Sequence, residues 1–232
     1  MPHIGVLGGM GPAATVDFMA KLVGLTPAQR DQEHLPVVVA NLPQVPDRSA
    51  AILGTGPDPL PALLRGIGLL NQSGAGVIVV PCNTSHHWYD AMSAASAAPI
   101  LHIAQACVRR VEPGTRTLIL GTRGALRSGF YQRALQDHGC PWELPAEGEE
   151  QGAVDECIRR VKAGQAKAAG NNLAGVLRAA AGRGTGAVIL GCTELPIALD
   201  HSGSQGLNTL DSSLELARAA VDHALARGWQ QA

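Results

Sequence analysis

Two short apolar runs in this chain stop at a cysteine. One is "VIVVPCNT" (77–84) and the other "AVILGCTE" (187–194). A brief run rich in valine and isoleucine, bounded by turn residues and flanked by helical patterns, is the signature of a strand buried on both faces of a parallel sheet. Parallel neighbours can be joined only through a crossover, usually a helix. A chain that carries such runs between helical stretches is held to an α/β architecture before any other residue is considered.

The rest of the chain keeps that alternation. Strands are expected at Ile4–Leu7, Pro36–Asn41, Val77–Val80, Ile100–Ile103, Thr117–Leu120 and Ala187–Leu190. Helices are expected at Pro12–Leu25, Pro59–Ser73, His86–Ser96, near Arg127–His138, and at Val154–Ala163, Asn171–Ala181 and about Ser212–Arg227. The order also repeats. "IGVLGGMGP" (4–12) parallels "LILGTRGAL" (118–126), the two cysteine segments parallel one another, and "PILHIAQA" (99–106) parallels "GLNTLDSS" (206–213). Gly8 precedes Cys82 by 74 residues and Gly121 precedes Cys192 by 71. The reading is an α/β fold of two similar, pseudo-symmetric domains, each a short parallel sheet flanked by helices, with an active site in the cleft between them. Their expected limits are 1–98 plus 209–232, and 99–208.

Composition removes several classes of function. The 232 residues carry a net charge of −1, with 46% hydrophobic and 3% aromatic residues. No basic cluster exceeds two residues, so neither nucleic acid nor an anionic membrane surface is an expected partner. No apolar run is long enough to span a bilayer, and "MPHIGVLGG" lacks the basic and cleavage regions of a signal peptide. The five cysteines are odd in number and form no CxxC pair, which fits a reducing cytoplasm.

In parallel α/β sheets, functional groups gather at the carboxyl ends of strands. Cys82 and Cys192 are both expected there, at strand-to-helix turns. A helix N-terminus stabilises a thiolate and lowers the cysteine pKa, and Asn83, Thr84 and Thr193 are residue types that cap such turns. Two thiols facing one carbon acid can remove a proton on one side and return one on the other, which inverts the carbon. Arg48 follows a strand end on the side of Cys82, and its guanidinium fork suits a carboxylate. The alternative is a surface arginine paired with Asp47. Gln44 is a weaker candidate on the same reasoning. Cys107 and Cys157 read as helix-packing residues, and Cys140 as a loop residue. His86 and His87 follow Cys82, so one could partner the thiol or serve in capping or packing. Glu194 could orient Cys192 or complement a helix dipole. "GGMGP" does not fit the dinucleotide spacing G-x-G-x-x-G, and the second strand ends in Asn41 rather than an acid. No metal-ligand pair is evident beside Cys82 and His86.

"GGMGP" (8–12), "VPDR" (45–48), "PCNTSH" (81–86), "GTRG" (121–124) and "GCTELP" (191–196), in this order, resemble the aspartate/glutamate racemase family across nearly the whole chain. The resemblance implies a racemase that needs no cofactor, with Cys82 and Cys192 as the acid/base pair and usually a homodimer. It implies that Asn83, Thr84, Thr122 and Thr193 hold the α-carboxylate and α-amino group, and that Met10 lies in a loop closing over the ligand. Arg48 and Lys162 would bind a side-chain carboxylate, Lys167 being a nearby alternative. Asn41, Ser85 and Glu194 are possible supporting residues. The expected partner is a small amino acid, aspartate first and glutamate second. A cis-trans isomerase or a cysteine-nucleophile hydrolase on the same scaffold is the alternative, and an amino-acid-binding protein the third reading.

Overall fold

The computed structural model describes residues 2–230. It contains two compact units: the residues up to Ala106 together with those from Ser213 onward, and Cys107–Ser212.

The first unit runs β1 (Ile4–Gly8), α1 (Pro12–Leu25), β2 (Val37–Asn41), α2 (Arg48–Ile52), α3 (Leu60–Ser73), β3 (Val77–Val79), a 3₁₀ turn over Asn83–Trp88, α4 (Tyr89–Ala95) and α5 (Ile103–Val108). Its strands are parallel in the order β2-β1-β3, and a parallel bridge from Ile78 to Ile100 takes the next place. The second unit runs β4 (Thr117–Gly121), α6 (Arg123–Ser128), α7 (Phe130–Asp137), β5 (Trp142–Glu143), α8 (Glu149–Lys162), α9 (Ala166–Gly182), β6 (Ala187–Gly191), α10 (Glu194–Ser202) and β7 (Asn208–Asp211). Its order is β5-β4-β6-β7, again parallel throughout. The two sheets are therefore built on one plan, as the sequence repeat implies. The last helix, α11 (Ser212–Leu225), returns to the first unit.

Side-chain alternation explains the layers. Val77 and Val79 point to one face of the first sheet, where Phe18, Ile103, Leu216, Ala220 and Val221 cover them. Ile78 and Val80 point to the other face and pack with Leu63, Ile67, Leu70 and Met92. In the second unit Leu118, Leu120, Val188 and Leu190 pack with α8, α9 and α10. Strands β1, β4 and β6 are buried along their whole length, which is why they read as unbroken apolar runs.

Several boundaries differ from expectation. The chain passes between units after Ala106 and after Ser212, not after 98 and 208. Ile100 is bonded to the first sheet and Ile103 and Ala106 lie in its core, while β7 pairs with β6. The strand expected over Ile100–Ile103 is reduced to one bridge because Ile103 already begins α5. The helix expected near Arg127–His138 is two helices, divided at Gly129, whose φ is +71°. The segment after Cys82 winds as 3₁₀ before becoming α-helical at Tyr89. Helices α2 and α10 and the two-residue strand β5 were not anticipated. Among the described residues no helix is long and apolar enough to cross a membrane.

Candidate active site

The loop between β1 and α1 is the first component. Gly9 has φ +97°, and a Cβ there would lie 2.4 Å from the backbone of Leu42. Only glycine lets this loop pass so close to the end of β2. The approach brings Met10, Arg48 and the Cys82 turn together. Met10 is buried, and its sulfur accepts a hydrogen bond from Ser85 Oγ at 3.2 Å. Arg48 donates through Nη1 to the carbonyls of Val45 (3.3 Å) and Pro46 (3.1 Å), and through Nη2 to that of Met10 (3.3 Å). Its Nε is buried with no partner. Asp47 is not its counterion: that carboxylate caps α2 by accepting from the Ala50 amide. Asn41 and Gln44 are exposed beside this loop.

Cys82 occupies the N-cap position of the 3₁₀ turn, and Asn83, Thr84, Ser85 and His86 are buried behind it. Asn83 and Thr84 thus lie inside the turn rather than capping it. His86 faces the Cys82 carbonyl through Nδ1 at 3.1 Å and accepts the Ile103 amide at Nε2 at 3.2 Å.

In the second unit Cys192 directly follows β6, and Thr193 is the N-cap of α10 without a side-chain capping bond. The Cys192 thiol donates to Glu194 Oε2 at 2.9 Å, and Thr193 Oγ1 donates to the same oxygen at 3.1 Å. The thiol pKa is pushed well up, first by burial and then by the charge of Glu194, with Lys162 opposing. This reverses the expectation that the helix terminus lowers it: burial beside an anion outweighs the dipole. Lys162, the last residue of α8, is exposed. Lys167 is not among the charges acting on Cys192; it lines a shallow recess with Gly164, Gln165 and Asn171. Thr122 caps α6 by accepting from the Ala125 amide at 3.2 Å.

Three further residues support this half. Gln151 is buried, and its Nε2 donates to the Gly121 carbonyl (3.2 Å) and to Asp155 Oδ1 (2.8 Å). It thereby ties α8 to the loop that carries Thr122. Tyr131 lies under Gly191, where a Cβ would meet its ring at 3.2 Å. Cys157 is a buried core residue whose thiol is pushed up to about 11 by burial and then by Glu194. A side chain from a distant helix gives no local sequence signal, so the supporting roles of Gln151 and Tyr131 were not foreseen. Among the described residues no group of three His, Cys, Asp or Glu side chains is placed to hold a metal.

Two sheets of one plan, each with a buried cysteine beyond the equivalent strand, at the same position counted from its start, agree with what comparison with known proteins finds. The sequence pattern described as Asp/Glu/hydantoin racemase matches residues 7–224, so the chain belongs to that family and is an enzyme of the racemase class. It is 29% identical, over 96% of its length and 98% of the relative's, to the broad specificity amino-acid racemase RacX of Bacillus subtilis (strain 168). It is similar to the solved Picrophilus torridus aspartate racemase, with a TM-score of 0.85 and 30% identity over 97% of this chain and 94% of that one. Its fold is also that of a glutamate racemase from Francisella tularensis subsp. tularensis SCHU S4 in complex with D-glutamate. There the TM-score is 0.71 at 16% identity, over 99% of this chain and 83% of the other.

Proposed function

We propose that the two half-sites act on one substrate and that the protein racemises an acidic amino acid, aspartate before glutamate, without a cofactor. The observation that carries this reading is the equivalence of Cys82 and Cys192. They follow β3 and β6, which hold the same place in the two strand orders. One cysteine thiolate takes the α-proton, and the electrons of the C–H bond pass to the α-carbon and its carboxylate. The other thiol delivers a proton to the opposite face. Because Cys192 holds its proton against Glu194, it enters as the donor and Cys82 as the base. After one turnover the roles are exchanged, which suits a reaction between mirror images. Asn83, Thr84, Thr122 and Thr193 supply the donors for the α-carboxylate and α-amino group.

The acidic side chain is supported by Arg48. Three backbone carbonyls fix its guanidinium, and the unpaired buried Nε leaves a donor that a carboxylate would satisfy. Lys162 is the second cation. The aspartate racemase similarity agrees with this order, and the broad specificity of the Bacillus relative defines the competing outcome. Chiral chromatography of reactions with single L-amino acids, run without added cofactor, tests the proposal. D-aspartate should form fastest and D-glutamate next. Equal or faster turnover of neutral amino acids would overturn the acidic preference. Ammonia release from an amide substrate would indicate a hydrolase instead.

A further inference from the structure

His86 is buried, and its two ring nitrogens meet backbone groups, the Cys82 carbonyl and the Ile103 amide. A carbonyl can only accept, so Nδ1, 3.1 Å from the Cys82 oxygen, must carry a proton. An amide can only donate, so Nε2, 3.2 Å from the Ile103 nitrogen, must be bare. These two contacts suit the Nδ1–H tautomer, with the ring acting as a strut between two backbone groups, and backbone hydrogen bonds with Leu101 and Asn83 also reach the ring. One end is the residue that carries the thiol. The other is the first residue of α5, the helix in which the chain leaves the first unit. The ring is set by neighbours: Tyr89 stacks on it with centroids 6.2 Å apart, and His102 lies at 4.9 Å. Tyr89 is itself anchored by its hydroxyl to the Ile100 carbonyl at 3.0 Å. Burial, and then the charge of His102, hold the imidazole neutral down to about pH 3.

We infer that His86 is a positioning residue. As the Nδ1–H imidazole it fixes the Cys82 carbonyl against the start of α5, and so sets the direction of the Cys82 thiol. Only the importance of this for turnover rests on Cys82 being catalytic; the strut itself does not.

Two substitutions separate the strut from simple ring packing. His86→Phe keeps an aromatic ring between Tyr89 and His102 and loses both hydrogen bonds. His86→Asn loses the ring and the Ile103 contact but keeps an N–H donor close to where Nδ1 lies, so it retains only the Cys82 end of the strut. Iodoacetamide labelling of Cys82 and Cys192, each followed by peptide mass spectrometry on the full-length protein, reads the two thiols separately. In His86→Phe the Cys82 rate should change by about fivefold or more while Cys192 stays within about twofold. In His86→Asn, which keeps the Cys82 end alone, the Cys82 rate should change less than in His86→Phe while Cys192 stays within about twofold of the parent. The reverse order, with Phe silent and Asn disruptive, would assign packing and overturn the inference. So would a change that affects both cysteines equally. The wild-type protein provides a reading that needs no variant: long-range ¹H–¹⁵N NMR should show His86 protonated at Nδ1 alone. A proton on Nε2 overturns the strut. Labelling does not depend on turnover, so full racemase activity in Cys82→Ala would sink the catalytic reading and leave the His86 geometry intact.

Discussion

In the proposed mechanism Arg48 and Glu194 serve the two half-sites by opposite means. Arg48 is immobilised by three carbonyls, with its buried Nε–H left without a partner. A charge-assisted bond contributes about 1.5–3 kcal/mol. Arg48→Leu should therefore lower kcat/KM for aspartate by about ten- to a hundredfold, as measured by steady-state kinetics. Unchanged aspartate kinetics would remove Arg48 from the site. Glu194 raises the Cys192 thiol by its charge and by the bond it accepts. Glu194→Gln removes the anion, so the thiolate forms at lower pH. The pH profile of Cys192 alkylation should move toward acid, against the parent. His86 supplies a stability prediction. Its folded pKa is about 3, against 6.5 for a free histidine. Between those values the unfolded chain binds a proton that the folded chain does not, so stability falls as pH drops through that window. The slope is about 1.4 kcal/mol per pH unit. Urea unfolding of the wild type and His86→Asn at several pH values should show the difference narrowing toward acid. Above pH 6.5 it should be constant.

At the scale of the element, each proposed half-site is a strand end, a tight turn and the start of a helix. The turns depend on glycines for space, and at Gly9 for a left-handed φ as well. At Gly9 a side chain would meet the Leu42 backbone, and at Gly191 it would meet the Leu120 carbonyl oxygen at 2.8 Å. Gly9→Ala combines that clash with a left-handed φ and should cost more than about 2 kcal/mol in urea unfolding. A midpoint equal to the parent's would contradict the close approach. These strand ends were legible in the sequence because β3 and β6 are buried on both faces and so write unbroken apolar runs, each stopping at a cysteine. Helix α1 was legible over its full span, Pro12 opening it at the first helical position. The divided helix at Gly129 was not, because the apolar pattern continues through a glycine whose φ turns positive. The Cys192 thiol was misjudged for a related reason. Position at a helix start is visible in sequence, but the burial that dominates its pKa is a property of the packed core.

The whole chain is one plan used twice, with the last helix returned to the first unit. That return was legible, but the crossing points were not. They depend on a single bridge at Ile100 and on the pairing of β7 with β6, neither of which has a local signal. Leu216 in α11 is fully buried in the first unit's core with Phe18 and Val79. Leu216→Ala should therefore cost about 2–5 kcal/mol. Hydrogen exchange should accelerate first in β1 and β3, not in β4 and β6; the opposite pattern would misplace the helix. The central claim is that Cys82 and Cys192 work as one acid/base pair, and the most direct test is isotopic. Wild-type protein, Cys82→Ala and Cys192→Ala are each incubated with L-aspartate in D2O without cofactor, and the α-proton NMR signal and optical rotation are followed together. The account predicts that the wild type loses both signals and that neither variant racemises. Racemisation at the wild-type rate by either variant, or wild-type protein that inverts aspartate without exchanging its α-proton, would contradict it.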